Sequence, residues 1–358
     1  MKIACIVGAR PNFIKIAPIM KELARWPEIF QPVLVHTGQH YDPKLSDVFF
    51  HDLDIPMPDH CLGVAAGTQA QQTGEIMEKF DELCVSEELD RVLVVGDVTS
   101  TLACAITAKK RCIPVDHVEA GLRSFDLTMP EEINRMVTDA IADLLFVTEP
   151  SGVNNLLHEG HSTDSIKMVG NVMIDSLLSH LENAESREKW RHYNLRRKGY
   201  GLVTLHRPSN VDSPARLRRM QDCLLDLSRQ IPLIFPVHPR TRRNLDASLT
   251  LPSLIFCDPL GYMDFVSLMT GSQVVITDSG GIQEETTALG IPCLTLRNST
   301  ERPITTELGS NTLIGDDSSK LRAYISEIVA GKYKRGCVPE LWDGKASERI
   351  GKVLANLS

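Results

Sequence analysis

The 358-residue sequence is poor in aromatic residues, at 5% Phe, Trp and Tyr, and has no excess of positive charge, with 38 Lys and Arg against 46 Asp and Glu. The net charge of -8 excludes a basic nucleic-acid surface, so any bound anion must be met by local basic residues. No apolar run reaches the ~18 residues that a membrane helix needs. The opening MKIACIVGARPN has too short an apolar part for a signal peptide and reads as a first strand. The nine cysteines are an odd number and include no Cys-x-x-Cys pair, which points to a reduced, cytoplasmic protein. Cys5, Cys104, Cys223, Cys257 and Cys293 lie in apolar contexts and are expected as buried thiols. There is no HExxH spacing; His206, His238 and Asp278 are the one metal reading, without a supporting pattern, and no metal is expected. A GxGxxG dinucleotide fingerprint, internal repeats and low-complexity segments are also missing.

What is present is alternation. Strands are expected at Lys2–Val7, Pro32–His36, Val92–Val95, Ile113–Val118 and Leu144–Thr148. Helical runs at Phe13–Arg25, Pro43–Asp52, Thr68–Leu89 and Ser151–Glu159 fall between and after them. The pattern restarts after a helical run at Val172–Trp190, with strands expected at Gly201–Leu205, Leu233–Val237, Ser253–Phe256, Gln273–Thr277 and Pro292–Leu296. Such alternation implies parallel sheets covered by helices. The expected class is α/β, as two Rossmann-like domains facing each other, residues 1–170 and 171–345, with a last helix in 346–358 able to pack on either. The charged stretch Glu185–Lys198 is expected to be an exposed segment between them.

The loops carry the chemistry. Asp97 and Glu119 end strands, and Glu131 follows Pro130 at a helix start, with Arg123 and Arg135 close in sequence. Strand ends form the ligand crevice of an open α/β sheet. Each acid alone also fits helix capping or the helix dipole, but three of them together suggest proton chemistry on a bound substrate. Gly8-Ala-Arg-Pro-Asn12 opens a helix after the first strand, and its N–H groups with Arg10 and Lys15 make an anion site. Asp278-Ser-Gly-Gly-Ile-Gln-Glu-Glu285 repeats the device in the second half, where Ser279, Gly280 and Gly281 allow close approach of a diphosphate. Glu285 then suits ribose hydroxyls. His206-Arg207 and His238-Pro-Arg240 place His and Arg at two further strand ends, which fits an anionic substrate, and Phe265 could stack on a base.

In order along the chain, GARPNFIK, HTGQH, GDVTST, HVEAGLRS, MPEEINR, HR, HPR, TDSGGIQEE and TERP resemble the non-hydrolysing UDP-N-acetylglucosamine 2-epimerases over about residues 1 to 315. The resemblance implies a GT-B fold with the active site between the domains. It implies UDP binding by Arg10, Lys15, Phe265, Ser279, Gly280, Gly281, Glu285 and Arg302. Sugar-side catalysis would fall to Asp97, Glu119, Glu131 and His206, with Arg135 near the phosphates. It further implies a UDP-sugar substrate, no cofactor, a homodimer and a role in supplying cell-surface polysaccharide. The chain departs from the family pattern at Ser209, where an acid is usual, and at Val98. Tyr41 stands where the family's effector-binding segment has arginine. The segment SFDLTMPEEINR also resembles epimerases of UDP-2,3-diacetamido-uronic acids. A hydrolysing epimerase, a GT-B glycosyltransferase and a silent UDP-sugar binder are the competing readings.

Overall fold

A computed structural model describes residues 1–38, 55–64, 67–245 and 251–357, without the side chains of residues 10, 208, 209, 239 and 240. The helix expected at Pro43–Asp52 and the segment around Tyr41 lie outside the described residues. The chain divides into two compact units, Met1–Ser179 with Glu340–Ser358, and His180–Pro339.

The first unit is built on β1 (Lys2–Val7), β2 (Gln31–His36), β3 (His60–Cys61), β4 (Arg91–Val95), β5 (Val115–Ala120), β6 (Leu144–Val147) and β7 (Ile166–Met168). Among the described residues these form one parallel sheet in the order β3-β2-β1-β4-β5-β6-β7. The strands are near-continuous apolar runs because a parallel sheet is covered on both faces. Ile6, Val33, Phe80, Val92, Val94 and Cys104 belong to one buried cluster between the sheet and its helices. The last helix, Ala346–Ala355, belongs to this unit. Asp175 fixes its start, accepting the N–H groups of Ala346 and Ser347 at 3.1 and 2.7 Å.

The second unit uses β8 (Gly201–Thr204), β9 (Leu233–Pro236), β10 (Leu254–Cys257), β11 (Val274–Thr277), β12 (Cys293–Thr295) and β13 (Asn311–Leu313). Their order is β10-β9-β8-β11-β12-β13, again parallel. Val203, Phe235, Ile276, Leu294 and Leu321 sit at its core. Counted within each unit, both sheets have the doubly wound order 3-2-1-4-5-6, the first carrying one more strand. In that order the chain leaves in opposite directions from the two central strands, which opens a crevice at their carboxyl ends. Those central pairs are β1 with β4, and β8 with β11.

Two expectations change. The stretch Glu185–Lys198 is not simply an exposed segment. It folds through a short 3-10 turn, Lys189–Tyr193, and Trp190 is only 5% exposed. Trp190 packs against Gly271, where a methyl group would lie 2.7 Å from Cε3 of the indole. Among the five cysteines expected as buried thiols, Cys257 is half-buried, while Cys5, Cys104, Cys223 and Cys293 are buried. No helix among the described residues is long and apolar enough to cross a membrane.

Candidate active site

Several of the residues singled out in the sequence follow the strands that form the two switch points. In the first unit, β1 leads into the helix Arg10–Leu23, whose backbone places Arg10 at its first position; the Arg10 side chain lies outside the described residues. Asn12 ties this turn to the neighbouring strand by donating from Nδ2 to the Val95 carbonyl at 2.8 Å. Gly96 then ends β4 with φ +66°, and a Cβ there would lie 3.0 Å from Lys15 Nζ and 3.6 Å from Glu119 Oε2. Glycine therefore keeps the turn close to an ion pair between Lys15 and Glu119, both of them buried.

Glu119 has φ +74°, a conformation rarely adopted by a residue with a side chain. The pairing of β5 with β6 shifts register between Val118 and Ala120, so Glu119 sits on a bulge that redirects its side chain. Backbone strain of this kind costs about 1–3 kcal/mol and collects at functional sites.

The helix Pro130–Ile141 supplies the next layer, and it is inverted. It buries Glu132, Asn134, Arg135, Thr138 and Asp139 and exposes Ile133 and Met136. Arg135 pairs with the Asp97 carboxylate, and Asn134 Nδ2 donates to the Asp97 carbonyl at 2.8 Å. Glu131 stands exposed in the first turn. Its neighbour Glu132 points inward and accepts the N–H groups of Ser124, at 2.9 Å to Oε2, and Phe125, at 2.8 Å to Oε1, together with Arg135 Nη2 at 2.6 Å. Burial would raise the Glu132 carboxyl, but the Ser124 N–H and the Arg135 guanidinium hold it below its ordinary value.

Asp139, further along the same helix, is completely buried. It meets His117 Nδ1 at 2.6 Å, Arg123 Nη2 at 2.7 Å and the Gly121 N–H at 3.0 Å. Burial pushes the Asp139 carboxyl up, yet the charges of His117 and Arg123 outweigh it and the group lies below its ordinary value. The other ring nitrogen, His117 Nε2, is 2.8 Å from the Gly96 carbonyl. A carbonyl only accepts, so Nε2 donates there.

In the second unit, His206 lies two residues beyond the end of β8 and Asp278 directly follows β11. Asp278 is completely buried and receives the N–H groups of His206 at 3.2 Å and Arg207 at 3.0 Å, and Asn210 Nδ2 at 2.9 Å. Its Oδ1 lies 3.0 Å from His206 Nδ1, and the His206 side chain is 50% exposed. Burial would raise Asp278, but the bond and charge of His206, then Asn210, lower it overall.

Ser279 stands at the N-cap position of the helix Gly280–Ala288 without a side-chain capping bond. At Gly280 a Cβ would lie 2.8 Å from Arg302 Nη1 and 2.9 Å from Glu301 Oε1, so only glycine leaves room for that pair. Arg302 is engaged by Glu284 through Nε at 2.8 Å and by Glu301 through Nη1 at 2.5 Å, and Arg297 also pairs with Glu301 at 2.6 Å. Two buried arginines thus face two buried glutamates, and Glu301 is held far below the ordinary carboxylate range despite its burial. Glu285 accepts from the Tyr262 hydroxyl at 2.9 Å. Phe265 is half-buried in the first turn of the helix Tyr262–Gly271, and His238 is exposed after β9.

The structure therefore brings Lys15 to Glu119, Arg135 to Asp97 and Arg302 to the Gly280 turn. Glu131, Phe265 and His238 stand outside these pairs. Sequence reasoning missed the positioning roles of His117, Glu132, Asp139 and Asp278. Glu132, Arg135 and Asp139 recur at i, i+3 and i+7, a polar stripe on one helix face that was open to notice.

A family model described as UDP-N-acetylglucosamine 2-epimerase matches residues 21–355. The UDP-N-acetylglucosamine 2-epimerase of Methanocaldococcus jannaschii is 39% identical over 365 residues, 99% of each chain. The UDP-2,3-diacetamido-2,3-dideoxy-D-glucuronate 2-epimerase of Pseudomonas aeruginosa is 38% identical over 360 residues, the whole of both chains. The crystal structure of the Methanocaldococcus jannaschii UDP-GlcNAc 2-epimerase in complex with UDP-GlcNAc and UDP superposes with a TM-score of 0.90 at 37% identity, covering 99% of this chain and 100% of that one. The α/β, GT-B-like class expected from the sequence is the observed one.

The Glu285 site makes a prediction about pH. Burial is the main reason its carboxyl is pushed up to about 7, the nearby Glu284 adds to the rise, and the Tyr262 bond opposes it. The folded protein therefore holds this proton more tightly than the unfolded chain, whose carboxyl titrates near 4.5. The stability it contributes is full below about pH 4.5 and gone above about pH 7, a change on the order of 3 kcal/mol. Urea unfolding of the unliganded protein should show the wild type losing about that much more stability than Glu285→Gln between pH 4.5 and 8. Equal losses in the two proteins would contradict a buried, protonated Glu285.

Proposed function

The chain belongs to the UDP-N-acetylglucosamine 2-epimerase family, and on that premise we propose that it inverts carbon 2 of a UDP-2-acetamido sugar without net hydrolysis. The observation that carries the reading is the pair Asp97 and Glu119. They end adjacent strands β4 and β5 beside the switch point, and each carboxylate has its own cation, Arg135 and Lys15. A base takes the proton from carbon 2 while UDP departs from carbon 1, leaving a 2-acetamidoglucal and UDP. UDP then adds back at carbon 1 as a proton arrives on the other face of carbon 2. Inversion requires acid/base groups on both faces, and Asp97, Glu119 and Glu131 are the candidates.

The carbon-2 proton is weakly acidic, so the departing diphosphate must be stabilised where its charge develops. Arg10, Lys15, His206 and Arg302 are the groups we assign to this, with Arg135 and His238 as further phosphate-side cations. Gly280 and Gly281 offer N–H groups at a helix N-terminus for the diphosphate, beside Ser279, whose own N–H donates to the Thr277 hydroxyl at 3.0 Å. Phe265 would stack on the uracil, and Glu285 would accept from the ribose hydroxyls. The N-acetylated glucose and mannose pair is the first substrate to test. The full-length likeness to the Pseudomonas aeruginosa enzyme favours UDP-2,3-diacetamido-uronic acids as the second. Either product would feed cell-surface polysaccharide in the cytoplasm.

A homodimer is part of the same reading. Phe125 and Leu127, in the loop before the helix Pro130–Ile141, are 80% and 65% exposed, and Ile133 and Met136 extend the apolar face along the helix. Exposed apolar patches of this kind mark interaction surfaces.

Two measurements test the reading. Incubation of each UDP sugar in deuterated water should give the 2-epimer carrying deuterium at carbon 2, and Asp97→Asn, Glu119→Gln and Glu131→Gln should each slow this by about two orders of magnitude. Epimer without deuterium, or full rates in all three folded variants, would overturn the proton-transfer assignment. Light scattering should give twice the chain mass, and Ile133→Asp with Met136→Asp should give one chain mass. A wild-type protein of one chain mass would overturn the dimer.

A further inference from the structure

The three carboxylates are not the only acid/base candidates. We propose that Asp278 is a positioning residue that holds His206 in a carboxylate–imidazole dyad, keeping a proton on Nδ1 so that the ring, when it carries its second proton on Nε2, donates it outward to the leaving diphosphate. The inference deepens the epimerase reading and rests on it for the identity of the group that Nε2 meets.

The dyad is set by the sheet. β8 and β11 pair in register, Thr204 opposite Thr277. The next residues along, Leu205 and Asp278, therefore leave the two strands side by side at the switch point, and His206 follows. Asp278 Oδ1 lies 3.0 Å from His206 Nδ1. The carboxylate is completely buried, while the imidazole it holds is half exposed. One end of the ring is thus fixed from below and the other is presented outward.

The surroundings of Asp278 keep it from turning away. Two backbone N–H groups of the His206 loop and the Asn210 side chain all donate to it, and Asn210 Nδ2 also lies 3.3 Å from the Leu296 carbonyl. Every one of these partners is a donor, so Asp278 acts as acceptor throughout. A carboxylate so placed can only receive from His206 Nδ1, which sets the tautomer. A fixed tautomer matters because an imidazole in the wrong one presents the wrong function to the reacting group, whatever its position. A purely structural Asp278 would instead serve the loop backbone alone.

Nitrogen-15 correlation spectra of the histidine rings, with His206 identified by its loss in His206→Asn, read the dyad directly in the wild-type protein. The expected pattern has the proton on Nδ1; a neutral ring with its proton on Nε2 and a bare Nδ1 would overturn the proposal. Asp278→Asn should lower kcat about a hundredfold with KM changed less than threefold, and should cost nothing further in the His206→Asn background. Losses that multiply in the double variant would show that Asp278 acts apart from His206 and would overturn the proposal. The spectra need no turnover, so a chain that epimerises no UDP sugar would still show whether the dyad exists. Failure of the epimerase reading and failure of the dyad are thus separate results.

Discussion

The first unit depends on one buried charge. Asp139 has no access to water, and an uncompensated carboxylate in that position would cost several kcal/mol. The fold meets this by bringing three partners to it: the imidazole of His117 from β5, the guanidinium of Arg123 and the N–H of Gly121. Each partner fixes a different piece of the candidate site. His117 reaches on to the Gly96 carbonyl and so holds the turn that carries Asp97. Gly121 is two residues beyond the bulged Glu119. Asp139 itself belongs to the helix that bears Glu131 in its first turn and sends Arg135 and Asn134 to Asp97. The proton-transfer candidates are thus attached to one compensated carboxylate rather than placed independently.

The second unit solves a similar problem with a different acceptor. Asp278 gathers the His206 loop as Asp139 gathers the β4 and β5 turns, but the His206 ring is half exposed whereas His117 and Arg123 are buried. Around the Gly280 turn, Arg297, Arg302, Glu284 and Glu301 balance one another. Lys15, Arg135, His206 and Arg302, four of the groups proposed to meet UDP, each lie against a carboxylate. A rigid, pre-charged setting of this kind favours electrostatic stabilisation of a developing diphosphate, because little reorganisation is left for the reaction.

Much of this was legible in the sequence, for reasons that are specific. Runs such as KIACIV and RVLVV announce buried parallel strands, and the turns after them carry glycine and acids at the positions that the switch points later occupy. The strands that escaped notice, His60–Cys61, Ile166–Met168 and Asn311–Leu313, are two or three residues long, and two of them form sheet edges in the first unit while the third forms one in the second. So short an edge carries no periodicity. Glu131 and Glu132 are adjacent in sequence and opposite in fate, and only packing distinguishes the exposed acid from the one that holds the Ser124–Phe125 turn. Trp190 was misplaced because the charged residues around it mask a single buried ring. Asp139 was overlooked because a helix with a polar buried face contradicts the usual rule, and the rule fails where the buried face serves a site.

The claim that these acids hang on one buried charge is tested most directly by the turnover number of Asp139→Asn, measured on the folded fraction of the same preparation. The substitution keeps the shape and removes the charge that holds His117 and Arg123. The account predicts a protein that folds with reduced stability and turns over at least about tenfold more slowly, as the Gly96–Asp97 turn and the Glu119 bulge lose their common anchor. A folded Asp139→Asn protein with wild-type turnover would contradict it.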